Sequence, residues 1–176
     1  MRFVDLLRTT VLLSAGAATT LAIICTAGAT NNSDSQLVFV AAGWWFVAAV
    51  IGVGLGRKAE ASPPIARLLA EARAATMMPE HQPGTILINR LWPLVLSTVI
   101  AGGLAFLAPQ IPGIAAGFTI IWSLAWRRQD SAVAAIEERD GVTFFVEKTS
   151  PLRPVKLVRA PGFRRERPVL NGETRT

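Results

Sequence analysis

Residues 91–126 contain no charged side chain, and this constrains the chain more than any other feature. A Pro-Gln-Ile-Pro-Gly break at residues 109–113 divides the run into two parts. Two helices of about 18 residues, rising about 1.5 Å per residue, would each cross most of a hydrocarbon core about 30 Å thick. Arg90 precedes the run, and Arg127 and Arg128 follow it. The sequence therefore predicts a transmembrane hairpin whose two ends lie on the same, basic side.

The composition places the whole chain among membrane proteins. It is 51% hydrophobic and only 17% charged, whereas soluble domains carry about 25% charged residues. The net charge of +6 and a pI near 11.0 would also fit a nucleic-acid-binding protein. We do not expect nucleic acid as a partner, because the basic residues are segregated along the chain, as topology-determining residues are. The excess of arginine over lysine is typical of a GC-rich genome and favours a bacterial source.

Two further apolar runs predict spans one and two, at residues 9–29 and 37–56. A cleaved signal peptide is the alternative for the first run, since Ala-Gly-Ala at residues 27–29 resembles a cleavage site. The run is longer than the apolar region of a signal peptide, about 7–15 residues, and so favours an uncleaved transmembrane helix. Trp44 and Trp45 lie in the second span, where an interfacial belt and packing between helices are both open.

With spans three and four at residues 91–108 and 111–126, these runs predict a four-span bundle over residues 1–126. All 18 basic residues fall on one side of this bundle. The two opposite loops, at residues 30–36 and 109–113, contain none. Because basic loops stay in the cytoplasm, we expect a multi-pass protein with both termini cytoplasmic. Its expected location is the plasma (cytoplasmic) membrane, which is the inner membrane of a bacterial cell.

The segment between spans two and three contains a predicted amphipathic helix at residues 63–77. Its apolar residues fall on one side of the helical wheel and its charged residues elsewhere. We expect this helix to lie on the inner membrane surface with Arg67 and Arg73 near lipid phosphates, and docking to a partner is the alternative. His81, the only histidine of the chain, stands in a loop with proline and glycine, and we expect it to be solvated.

A small cytoplasmic appendage is predicted after the fourth span, at residues 127–159. Residues 129–139 continue as a helix, and residues 142–148 and 155–159 have the composition of two strands that could close a β-hairpin. Because an isolated hairpin is only marginally stable, it should lean on the preceding helix, on the membrane or on a partner. Residues 160–176 have the composition of a flexible basic tail. The predicted fold class is an all-α membrane protein that carries this helix and hairpin.

Basic side chains beside a membrane attract the headgroups of anionic lipids, so the lipid bilayer itself is an expected partner. The candidate headgroup contacts are Arg67, Arg73, Arg127, Arg128, Arg164 and Arg165.

Every predicted span also has a face of small residues. Lipid gives helices no hydrophobic reason to associate, so close approach depends on such faces. We expect them to form an intramolecular bundle, and oligomerisation through the face of span two is the alternative. The candidate packing or oligomerisation residues are Ala48, Gly52, Gly56, Gly113 and Gly117.

The spans contain no Asp, Glu, Lys, Arg or His in their interior, which argues against an ion-coupled transporter but not against a channel. One histidine and one cysteine, Cys25, cannot build a metal cluster, and we expect no cofactor. Glu137, Glu138 and Asp140 are neighbours without a ligand-loop pattern, and we interpret them as a solvated helix end. A membrane enzyme that uses Glu137 and Glu138 is the third functional hypothesis.

The missing catalytic constellation and a cytoplasmic appendage suited to docking together favour a non-enzymatic role. We expect an accessory, scaffold or assembly protein of a membrane complex. Its partner would be another membrane protein or a second copy of the chain. A small oligomeric channel or transporter is the alternative.

Overall fold

The computed structural model describes residues 1–32, 34–58, 60–74, 83–147 and 155–161. Six α-helices and three β-strands follow one another in these residues. The helices are α1 (Phe3–Asn31), α2 (Ser35–Leu55), α3 (Pro63–Ala70), α4 (Pro83–Gly103), α5 (Gln110–Trp126) and α6 (Gln129–Asp140), and a short 3-10 helix (Leu104–Phe106) follows α4. The strands are β1 (Arg73–Ala74), β2 (Val142–Val146) and β3 (Leu157–Pro161).

Three helical segments are long and apolar enough to cross a membrane: Phe3–Asn31, Ser35–Leu55 and Gly84–Phe106. The structure is mostly helical and fits a membrane-embedded protein, as the composition predicts. α5 has 17 residues, whereas α2 has 21. At 3.6 residues per turn, α5 is therefore about one turn shorter than α2.

The two helices α1 and α5 form the centre of the helical part. Their mutual contact is the most extensive between any two helices, α2 packs along α5, and α4 packs against α1. The helices therefore follow one another in space in the order α4, α1, α5, α2. The outer helices α2 and α4 consequently present broad faces to the surroundings.

Mostly small residues are buried between these helices, with Leu21 as an exception, and many large apolar residues point outward. Ser14 and Cys25 of α1, Ala48 of α2 and Ala116 of α5 are fully buried. By contrast, the large side chains with more than half of their surface exposed include Phe39, Phe46, Val99, Phe106, Leu107 and Phe118. Lipid chains would cover such side chains, so the inside-out distribution is the one expected of helices in a bilayer.

A second core, of large apolar residues, lies at the basic end of the helices. We call the unit around it the head; it consists of residues 1–7, 60–74, 83–87, 126–147 and 155–161. Its buried residues are Phe3, Leu6, Leu7, Ile65, Ile86, Val133, Val142, Phe144, Val146 and Leu157. The first turns of α1 and α4 thus belong to the head. The helices that contain predicted spans one and three begin earlier than those spans, at Phe3 and Pro83, because their first turns are part of the head.

The prediction for the helix at residues 63–77 is wrong in its length and in its environment. The helix, α3, ends at Ala70, and Arg73–Ala74 form a strand. Ile65 is only 2% exposed, and Leu68 and Leu69 pack against the same core. The apolar face of α3 therefore covers the head instead of lying on the membrane surface.

The three strands form one sheet in the order β1-β3-β2. β2 and β3 pair antiparallel, with Phe144 opposite Arg159, and β1 pairs parallel to β3, with Arg73 opposite Val158. The described part of the chain is therefore not all-α. The inward side chains of β2 alternate as Val142, Phe144 and Val146, which is the period-2 pattern of a strand with one buried face. Ala160 and Pro161 belong to β3, and the remainder of the predicted tail lies outside the described residues.

Candidate functional site

A buried carboxylate joins the N-terminus of the chain to the sheet of the head. Glu137 of α6 is 6% exposed. Its Oε2 accepts a hydrogen bond from Arg2 Nη2 at 2.7 Å, and its Oε1 accepts one from the backbone N–H of Phe144 at 2.8 Å. Both carboxylate oxygens are thus engaged by groups of the head itself. The hydrogen bond to Glu137 raises the pKa of the Arg2 guanidinium.

The backbone of the N-terminus continues the same connection. Arg2 forms an antiparallel bridge with Phe145, and Met1 O accepts a hydrogen bond from the N–H of Val146 at 3.0 Å. The first two residues therefore act as a further, very short strand along the free edge of β2. Pairing of this kind covers part of an edge that would otherwise expose unpaired backbone groups.

The interpretation of Glu137 as part of a solvated helix end is wrong. Gln129, Ala132, Val133 and Glu137 are the buried residues of α6. Their spacing of three to four residues places them on one helical face, so the sequence carried a signal for this burial. Glu138, one residue further on, is exposed. The two glutamates therefore do not share a site, and a catalytic pair of Glu137 and Glu138 has no basis in this geometry.

A second pair of side chains fastens the segment after α2 to the start of α6. Gln129 is 7% exposed. Its Oε1 accepts a hydrogen bond from Ser62 N at 2.9 Å, and its Nε2 donates one to Glu60 O at 3.3 Å. Arg128 Nη1 donates to Arg57 O at 3.0 Å. These bonds hold the ends of α2 and α5 side by side.

Four basic residues gather where α2 and α5 end, and we call them the basic corner: Arg57, Lys58, Arg127 and Arg128. All four are exposed. The ion pairs found among the described residues are Arg2–Glu137 and Arg139–Asp140, so none of the four belongs to an ion pair there. Glu60 and Asp130 lie in the same two segments, which leaves the corner with a net positive charge.

The other predicted headgroup contacts are placed differently. Arg67 is an exposed residue of α3, and Arg73 is an exposed residue of β1. Among the described residues, no ion pair or side-chain hydrogen bond joins either residue to the basic corner. Arg164 and Arg165 lie outside the described residues, as does His81.

The small residues of span two lie against α5 within the same chain. A Cβ added at Gly52 would meet Leu124 Cβ at 2.8 Å and Ile121 Cα at 3.1 Å, and one added at Gly56 would meet the Leu124 backbone. Ala48 is fully buried on the same face. This face is therefore occupied inside the chain, and an oligomer would have to use another surface.

The two small residues of span four face different partners. A Cβ at Gly113 would meet Cys25 Sγ at 2.8 Å, and one at Gly117 would collide with the indole of Trp44. Glycine at these positions lets α1 and α2 approach α5 closely.

Trp44 and Trp45 pack between helices and do not form an isolated belt. Trp45 Nε1 donates to Gly113 O at 2.8 Å, and Trp44 Nε1 donates to Ile114 O at 3.2 Å. Trp44 also makes an edge-on contact with Phe118, with ring centroids 5.6 Å apart. These bonds give the indole N–H groups partners on α5, which their polarity requires in an apolar setting. Sequence alone could not identify the carbonyl partners, because they depend on how α2 and α5 are aligned.

The ranges that the structure describes contain no group of three or more His, Cys, Asp or Glu side chains able to hold a metal ion. No protein family, curated protein or solved structure matches this chain. The candidate functional regions are therefore the surface of the head and the basic corner.

Proposed function

We propose that this chain is a non-enzymatic accessory, scaffold or assembly protein of a membrane complex. It would span the plasma membrane of a bacterium four times, with both termini and the head in the cytoplasm. Its partner would be another integral membrane protein that docks on the head or along the outer helices.

The distribution of charge supports this topology. The head and the basic corner lie at the same end of the helices, while residues 30–36 and 109–113 at the other end carry no Lys or Arg. In the positive-inside pattern the basic end is cytoplasmic. α5 would be the fourth span: it lies between α1 and α2, so it crosses the same layer as they do.

The packing of α1 supports an uncleaved first span. Phe3, Leu6 and Leu7 belong to the core of the head, and Ser14, Cys25 and Ala29 are buried among the helices. Cleavage after residue 29 would remove a central helix together with part of the head. A signal peptide would not be expected to contribute to both cores.

The observation that carries the scaffold proposal is the shared core of the head. Segments preceding or following all four proposed spans contribute to it, so the spans and the head form a single connected body. Its buried polar side chains Glu137 and Gln129 are used to bind the head's own backbone and Arg2. A rigid body of this kind is suited to positioning a partner.

Purification of the full-length protein in a mild, lipid-preserving detergent tests this proposal. A photo-crosslinking residue at exposed Glu138 would report contacts of the head. The same residue at exposed Ser35 reports the opposite end of the helices as a matched control. One stoichiometric partner, crosslinked from Glu138 but not from Ser35 and resolved by mass, supports a scaffold. A homogeneous oligomer of the chain alone contradicts it.

A small oligomeric channel or transporter is the competing proposal. Within one copy, the contact of α1 and α5 is closed by Ser14, Cys25 and Ala116, all fully buried. A pore would therefore have to form between copies, along the outer helices. Solute flux into proteoliposomes containing only this protein would favour the channel and would exclude a purely structural role.

A further inference from the structure

An open cleft of about 390 Å³ runs along one face of α2, next to the basic corner. Its lining residues are Ala49, Val50, Val53, Gly54 and Arg57. Ala48, Gly52 and Gly56, which face α5, fall on the other side of the helix at about 100° per residue. The cleft is therefore on the outward side of α2, apolar along its length and charged only at the end where the helix stops.

The charge at that end is reinforced by neighbouring residues. Lys58 follows Arg57 directly, and the Arg128 guanidinium reaches the Arg57 carbonyl at 3.0 Å. This bond also neutralises part of the negative end of the α2 dipole, which would otherwise repel an anion. Arginine and lysine side chains are therefore grouped at the end of α2, directly beside the apolar cleft.

We propose that the basic corner and this cleft form a binding site for one anionic phospholipid. The phosphate lies on Arg57 and Lys58, with Arg128 beside them, and an acyl chain follows Val50 and Val53. The site does not depend on the proposed scaffold role, and it differs from a general attraction of basic residues to the bilayer because it combines a defined set of charges with a defined apolar cleft.

Charge complementarity and the position of the cleft both favour a lipid as the occupant. A free phosphate would use the charges but would leave the apolar lining uncovered. A lipid covers both parts of the site. Its phosphate would lie at the charged end, and its acyl chain would extend from there along the apolar cleft. Each nearby Lys or Arg adds to the attraction for an anionic headgroup.

The site is tested with the full-length protein in mixed micelles that contain phosphatidylglycerol and phosphatidylcholine in equal amounts. Native mass spectrometry counts the lipids of each kind that stay bound. We expect selective retention of phosphatidylglycerol, which the double variant R57Q/K58Q weakens by at least about 10-fold. The variant R67Q/R73Q, which removes the same charge from α3 and β1, is the matched control and should retain the lipid.

The variant V53W tests the apolar half separately, since it fills the cleft and leaves every basic residue in place. We expect it to lose the bound phosphatidylglycerol as well, and this variant decides the question if R57Q/K58Q does not fold. Equal losses in R57Q/K58Q and R67Q/R73Q, equal retention of both lipids, or displacement by glycerol phosphate would each overturn the proposal. Those results would indicate diffuse attraction, a non-selective cleft and a soluble-phosphate site, respectively.

Discussion

The two cores of this protein are built on opposite rules. In the head, large side chains such as Phe3, Phe144 and Leu157 are buried. Between the helices, small residues such as Ser14 and Ala48 are buried, while Phe39 and Phe46 are 77% and 72% exposed. Burial of large apolar groups is favourable only where water is the alternative, and lipid removes that driving force. The difference indicates which part of the chain faces water and which faces hydrocarbon.

α1 is one continuous helix that begins in the head and continues into the part where helices pack through small residues. Its buried residues are large at Phe3, Leu6 and Leu7, and from Ser14 onward they are small except for Leu21. Arg8, between the two sets, is exposed. The change in buried side-chain size therefore marks the boundary between the head and the bilayer more sharply than the end of the helix does.

The largest effect is expected from deleting a phenylalanine in each core. Phe144→Ala should lower the free energy of unfolding by about 3–5 kcal/mol, because it removes a buried ring and leaves a cavity. Phe46→Ala should have little effect, since lipid or detergent replaces the lost contacts. The two purified variants are heated, and the temperature at which each loses its monodisperse form is compared. Equal destabilisation would show that Phe46 is buried, in contradiction to its exposed position in this structure.

Adding a large side chain between the helices should be as harmful as removing one from the head, although adding one on the outward side of a helix should not. Gly52→Leu should destabilise the protein by about 3 kcal/mol, at the upper end for overpacking, because the added atoms meet the α5 backbone and cannot be accommodated by a rotamer change. Gly43 lies on the same helix with nothing within 4 Å of an added Cβ, so Gly43→Leu is the control. Denaturation in graded amounts of a harsh detergent compares the two. If Gly43→Leu is as damaging as Gly52→Leu, the assigned α2–α5 interface is wrong.

Loss of the Glu137 hydrogen bonds inside the head should lower the free energy of unfolding by less than Phe144→Ala or Gly52→Leu does. Glu137→Ala leaves the buried Phe144 N–H without its acceptor, which we expect to cost about 2 kcal/mol, while half-exposed Arg2 regains water. Glu137→Gln keeps an acceptor and should fall between this variant and the wild type. Exposed Glu138→Ala is the matched control and should change stability little. Proteolysis of the head at increasing temperature measures all three, and the same behaviour for Ala at 137 and 138 would contradict the buried pair.

The sequence predicts the apolar helices well because continuous apolar runs are strong local signals. It predicts the head poorly, since the core joins residues as distant as Phe3, Ile65 and Phe144, and no local pattern specifies such pairings. The third strand illustrates this: Arg73–Ala74 is a strand only because Val158 and Arg159 lie beside it. Likewise, the bond from Arg2 to Glu137 joins residues 135 positions apart, although the helical spacing of Glu137 does indicate its burial.

The smallest effect is expected from the exposed ion pair Arg139–Asp140, which allows a comparison between buried and exposed charge. Arg139 Nε donates to Asp140 Oδ1 at 2.8 Å on the surface, and this bond lowers the pKa of the Asp140 carboxyl. A lowered pKa stabilises the folded state above the ordinary pKa of aspartate, and the contribution disappears as the pH falls through the folded pKa. Water and salt screen such a pair, so Asp140→Asn should shift the melting temperature only slightly at neutral pH and not at all at acidic pH. Melting curves of Asp140→Asn from neutral to acidic pH, in low and high salt, measure the shift in melting temperature. Asp130→Asn is the control, since Asp130 belongs to neither of these ion pairs. A neutral-pH loss for Asp140→Asn as large as that of Glu137→Ala would show that burial is not what separates the two pairs.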